Sequence, residues 1–143
     1  MPSDLELLGR LLLASVLGGG VGVERELHGQ PAGLRVHTLL AIGACLFTLV
    51  SAYGFGSEAD PSRVTSQVVA GIGFLGGGAV VRYGLSVRGM TVAASIWATA
   101  SIGVAVGVGS YLLAVGGTVM IIGTLCGLRA LDRHLWRRSE SRR

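Results

Sequence analysis

Thr38–Phe55, TLLAIGACLFTLVSAYGF, runs eighteen residues without a charge. As an α-helix rising about 1.5 Å per residue it reaches about 27 Å, close to the thickness of a bilayer's hydrocarbon core. A helix of a water-soluble fold keeps a polar face, and this stretch has none. On either side of it lie three more charge-free windows, Val64–Val81, Val92–Val108 and Tyr111–Leu128, and a fifth apolar window, Leu5–Val23. The five windows predict an all-α membrane protein with five transmembrane helices. Composition agrees: half the residues are hydrophobic and 14% are charged, against about 25% in a soluble domain. Such a chain is too apolar for disorder, and its 24 glycines show no collagen period of three. Cys45 and Cys126, both inside apolar runs, form neither a disulfide framework nor a zinc site.

Leu5–Val23 could be a signal peptide, but its flank carries Asp4 and Glu6 rather than basic residues, and no small-x-small cleavage site follows. It is therefore read as the first span. The basic residues are all arginine and set the direction. With the N-terminus outside, five spans put Arg25 and Arg35, Arg82 and Arg88, and Arg129, Arg133, Arg137, Arg138, Arg142 and Arg143 in the cytoplasm. Only Arg10 and Arg63 fall on the other side or in its half of a span, so the positive-inside rule selects N-out, C-in. The same rule explains the basic balance, and nucleic acid is not needed as a partner. Residues 1–128 are expected to form the transmembrane domain and 129–143 a basic cytoplasmic tail. Arg129, Arg133 and Arg137 beside Trp136 resemble an interfacial helix drawn to anionic lipid.

An internal similarity runs through the first four spans. Leu17-Gly18-Gly19-Gly20 returns as Leu75-Gly76-Gly77-Gly78, Arg35-x-x-Thr38 as Arg88-x-x-Thr91, and Ala52-x-Gly54-x-Gly56-Ser57 as Ala105-x-Gly107-x-Gly109-Ser110. Spans 1–2 and 3–4 are read as parallel copies of one hairpin, with the fifth span added; coincidence in a Gly- and Ala-rich composition is the alternative. Gly18 and Gly22, Gly73 and Gly77, Gly103 and Gly107, and Gly123 and Gly127 keep small-xxx-small spacing, which lets helices approach closely in lipid and suits a homodimer. The competing reading is that the glycine triplets interrupt helices and present carbonyls to an ion.

Charged residues in or near the membrane are costly and make the functional candidates. Glu24-Arg25-Glu26 closes span 1, followed by His28 one turn beyond Glu24 and by Pro31-Ala32-Gly33-Leu34-Arg35-Val36-His37. Two carboxylates, Glu24 and Glu26, could hold Mg²⁺; the plainer alternative is a salt-bridged helix end. Asp60 is expected to cap the third helix, with Pro61 at its first position. Arg63 and Gln67 follow one turn apart, and Arg10 needs an anion from Glu6, Glu58 or Asp60. Trp97, mid-span, has an indole N–H that wants a partner, or simply packs. No nucleophile–base pair, HExxH or P-loop occurs, so the chain is expected not to be an enzyme.

Several of these segments occur together in one family. Glu24-Arg25-Glu26 with Pro31–His37, Asp60-Pro61-Ser62-Arg63-Val64, Gln67–Gly78 and Arg88–Trp97 resemble the membrane domain of the MgtC/SapB family, in order and across Arg10–Leu128. Gly77, Met90 and Val92 depart from its usual residues and are read as neutral. The resemblance implies a multi-pass protein of the bacterial inner membrane, linked to magnesium homeostasis and growth in low Mg²⁺ and, in pathogens, to virulence inside macrophages. It implies a modulator of other membrane machines such as the F-type ATP synthase, with an ion or small-solute transporter or channel as the alternative. It assigns no bound cofactor beyond a weakly indicated Mg²⁺. Larger members carry a soluble domain after the fifth span; the sequence stops about fifteen residues past it, so that domain is expected to be absent. The residues put forward for function are Glu24, Arg25, Glu26, Arg35, His37, Asp60, Arg63, Gln67, Arg82, Arg88 and Trp97.

Overall fold

The computed structural model describes residues 2–56 and 60–140, without the side chains of Tyr83 and residues 132–140. Five helices follow one another: α1 (Asp4–Leu27), α2 (Leu34–Tyr53), α3 (Arg63–Gly78), α4 (Met90–Gly107) and α5 (Tyr111–Glu140). Between α3 and α4 lies an antiparallel ribbon, β1 (Val81–Tyr83) with β2 (Ser86–Arg88), in the register Val81–Arg88, Arg82–Val87, Tyr83–Ser86.

Four helices, α1, α2, α4 and the Tyr111–Leu131 part of α5, are long and apolar enough to cross a membrane. The third span departs from expectation. The window Val64–Val81 is free of charge throughout, but α3 stops at Gly78 and Val81 already belongs to a strand. The reason is local: three consecutive glycines weaken the last turn, and the β-branched and aromatic residues Val81, Tyr83 and Val87 favour a ribbon closed at Gly84, whose φ is +59°. The fold is thus helical with one small ribbon rather than purely α. Through residue 140 the basic tail continues α5, and the side chains of Arg133, Trp136 and Arg137 lie outside the described residues.

The start of α3 also differs. Asp60 does not cap it; its carboxylate accepts from the Ser62 N–H and hydroxyl, making a turn ahead of the helix, which begins at Arg63 rather than Pro61. Those hydrogen bonds hold the Asp60 carboxyl below the usual carboxylate range. The first turn of α3 is instead satisfied by a neighbouring helix. Buried Ser51 of α2 accepts from the Val64 N–H (3.2 Å) and donates to the Pro61 carbonyl (2.7 Å).

In the bundle α2 and α4 are central. α1 packs most extensively on α2, α3 packs on α4 and α2, and α5 packs on α4 and α1. Val21, Ala41, Cys45, Ile102 and Val106 fill the α1–α2–α4 interior. Small residues let the backbones meet there. A Cβ at Gly22 would lie 2.6 Å from Leu34 Cα, and one at Gly107 would lie 2.7 Å from Thr48 Cβ. Gly18 meets Ala41 and the His37 carbonyl, and Gly103 meets the Ala41 carbonyl. Gly73, Gly77, Gly123 and Gly127 have nothing within 4 Å in the single chain.

Candidate functional site

Polar side chains gather at both ends of the bundle. At the end formed by the α1 C-terminus and the α2 and α4 N-termini, Glu24 is buried on α1. Its Oε1 lies 3.1 Å from Arg129 Nη1 of α5 and 3.0 Å from His28 Nδ1, with Cys126 Sγ at 3.8 Å. Its Oε2 is buried with no hydrogen bond among the described residues. Glu24 and His28 share a face because they sit four residues apart on one helix.

Arg25, next along the chain, is fully buried. One guanidinium N–H donates to Gln30 Oε1 at 3.0 Å, whereas Nε and Nη1 find no acceptor among the described residues. Glu26 turns the other way, since neighbours two apart on a helix point about 200° apart. Its Oε2 accepts from the Leu34 N–H at 2.8 Å and so caps α2 from outside. Gly33 makes this approach practicable, because a Cβ there would sit 2.7 Å from Glu26 Oε2. The two carboxylates thus take different partners, Glu24 facing Arg129 and His28 and Glu26 facing the start of α2. Among the described residues no three His, Cys, Asp or Glu side chains gather as metal ligands.

His37 completes this end. It is fully buried on α2, with Nδ1 3.1 Å from the Gly33 carbonyl and Nε2 3.2 Å from Ser95 Oγ of α4. Arg35 is exposed in the first turn of α2. Arg82 and Arg88 lie on the ribbon, and neither forms an ion pair with a described residue.

At the opposite end Arg10 is buried on α1 and holds four elements together. It donates to Glu6 Oε1 (2.7 Å), to the Gly107 carbonyl ending α4 (2.8 Å) and to Tyr53 of α2 (3.3 Å). Its guanidinium also stands 5.9 and 5.8 Å from the ring centroids of Tyr53 and Tyr111, within cation–π range. Of the acids considered for Arg10, Glu6 is its partner and Asp60 is not, while Glu58 lies outside the described residues. Asp60 and Arg63 are exposed near α3's start, Gln67 is exposed one turn on, and Trp97 lies half-exposed on α4 beside Val68 and Ile72 without a hydrogen bond among the described residues. Sequence reasoning passed over Ser95, Tyr53 and Tyr111 as partners. It also counted Arg129 only as tail charge, although its place as the first charge after the fifth window puts it level with Glu24.

The sequence profile of the MgtC family matches residues 11–134, which takes in the whole Glu24 end. The chain belongs to the MgtC family. Relatives include the "Putative magnesium transporter YhiD" of Escherichia coli K12, 43% identical over 124 residues, covering 82% of this chain and 58% of that protein. "Protein MgtC" of Brucella abortus is 43% identical over 118 residues, 82% of this chain and 49% of its own. An uncharacterized Synechocystis protein is 43% identical over 127 residues, 89% of this chain and 54% of its own. This MgtC-family chain thus spans about half the length of the relatives it matches. No solved structure matches it.

Proposed function

We propose that this MgtC-family chain is a non-enzymatic modulator of other membrane proteins, working in the bacterial inner membrane in adaptation to low Mg²⁺, with its N-terminus outside and its C-terminus inside. One observation carries the reading: two membrane-embedded charges, Arg10 and Glu24, each find an ionic partner within the chain while its open faces are apolar. Arg10 is held by Glu6, Gly107 and two tyrosines, and Glu24 by Arg129 and His28. A groove of about 600 Å³ between α2 and α3 is lined by Leu39, Leu40, Phe47, Val68 and Ile72, together with Gln67. Such a surface fits an apolar helix better than a hydrated ion. The open small-residue face of α5, with Gly123 and Gly127, suits a partner helix or a second copy. The test is capture from detergent extracts. A specific membrane protein should co-purify with the wild-type chain and be recovered less with Glu24→Ala or Arg35→Ala.

A second reading, transport of an ion or small solute, is favoured by a different observation. Glu24 Oε2 and two Arg25 nitrogens are buried without partners among the described residues, and the E. coli relative is named a putative magnesium transporter. It predicts flux in proteoliposomes that falls when Glu24 or Arg63 is neutralised.

A further inference from the structure

The Val81–Arg88 ribbon sits where α3 is short. Sixteen helical residues rise about 24 Å, less than the roughly 30 Å of a hydrocarbon core. A chain that crosses on α3 and returns on α4 therefore carries the base of the ribbon at the membrane boundary rather than well clear of it. The ribbon's side chains match that boundary. Leu85 beside the turn is 98% exposed, and Val81, Val87 and Met90 are also exposed, so an apolar group stands out with no cover from the bundle. Arg82 and Arg88 flank it, exposed and free of carboxylate partners among the described residues. The Arg82 Nε–H donates to the Gly84 carbonyl, which ties that guanidinium to the turn. Gly89, at φ +90° and against the Ala79 carbonyl, fixes how the ribbon joins α4.

We propose that this ribbon is a membrane-surface foot, in which Leu85 enters the headgroup–acyl boundary and Arg82 and Arg88 meet the phosphates of anionic lipid. An exposed leucine between two arginines is the pairing that interfacial segments use, apolar side chain inward and guanidinium at the phosphate level. The proposal rests on the cytoplasmic placement of the ribbon given above.

The experiment attaches a nitroxide at Ser86→Cys in the full chain with Cys45→Ala and Cys126→Ser, reconstituted in phosphatidylglycerol or in phosphatidylcholine vesicles. Depth is read from relative collision with oxygen and with a water-soluble nickel complex. The probe should be shielded from nickel and open to oxygen in anionic vesicles, and less so in neutral ones. Leu85→Asn should return it to water, and Arg82→Gln with Arg88→Gln should abolish the difference between the two lipids. Full access to nickel in both vesicles overturns the proposal, and depth independent of lipid charge overturns the role of the arginines. Shielding that appears only when cytoplasmic protein is added assigns the ribbon to a protein partner and overturns it as well. Labelling the same cysteine in intact spheroplasts with an impermeant maleimide reports its side of the membrane separately, so a failed orientation is told apart from a failed insertion.

Discussion

Replacing Arg10 with methionine keeps the apolar stem and removes the guanidinium, so its cost measures the clamp at that end of the bundle. The charge-assisted bond to the Gly107 carbonyl is buried, spans the α1–α4 interface and is worth about 1.5–2 kcal/mol. Two tyrosine faces at 5.8 and 5.9 Å add roughly 0.5 kcal/mol each. The Glu6 carboxylate is half-exposed, so its ion pair, although short, adds no more than a few tenths of a kcal/mol. The expected loss is therefore about 3 kcal/mol, or roughly a hundredfold in the unfolding equilibrium. Unfolding in mixed micelles, titrated with a denaturing detergent, measures it. A double-mutant cycle with Tyr53→Phe should show coupling below about 1 kcal/mol, because that hydrogen bond is long at 3.3 Å. An Arg10→Met protein within about 0.5 kcal/mol of the parent would refute the clamp, since the buried bond to the Gly107 carbonyl alone is worth more than that.

Gly22→Ala and Gly103→Ala should each destabilise the bundle by about 1–3 kcal/mol, because the added methyl meets the backbone of α2. Gly123→Ala, with nothing within 4 Å, should be neutral or slightly stabilising in the isolated chain; the same unfolding titration compares them. Glu24→Gln leaves Arg129 at the bundle edge without its carboxylate and should cost about 1–3 kcal/mol, seen as a lower midpoint that Glu24→Gln/Arg129→Met partly restores. For Asp60, whose pKa is lowered by its bonds to Ser62, the turn is at full strength above the ordinary carboxylate pKa. It weakens as pH falls through the lowered value. Protection of the Ser62 amide, its exchange rate set against the intrinsic rate at the same pH, should fall over that acid range and be absent at every pH in Asp60→Ala.

Much of this arrangement was legible because water and lipid sort residues so strongly. Four helices coincide with windows chosen for length and apolar character, and Arg10–Glu6 and Glu24–His28 follow from four-residue spacing on one helix. The end of α3 was not legible in that way. An apolar window reports what can enter lipid, while the stop at Gly78 depends on glycine's helix cost and on strand formers beyond it. The start of α3 was missed for a related reason. Its capping oxygen comes from Ser51 in another helix, so the local Asp60-Pro61 signal was used for a preceding turn. Contacts between distant residues, Arg10 with Gly107 and Glu24 with Arg129, have no local signature, since each requires the bundle to form first.

The central claim is that the chain acts through other membrane proteins rather than by carrying ions itself. Purified protein in sealed liposomes, with Mg²⁺, K⁺, Na⁺ and H⁺ gradients followed by entrapped dyes over a range of pH and membrane potential, tests this directly. The account predicts fluxes equal to those of protein-free liposomes. A robust flux for any of these ions that Glu24→Gln abolishes, while the protein stays folded, would contradict it.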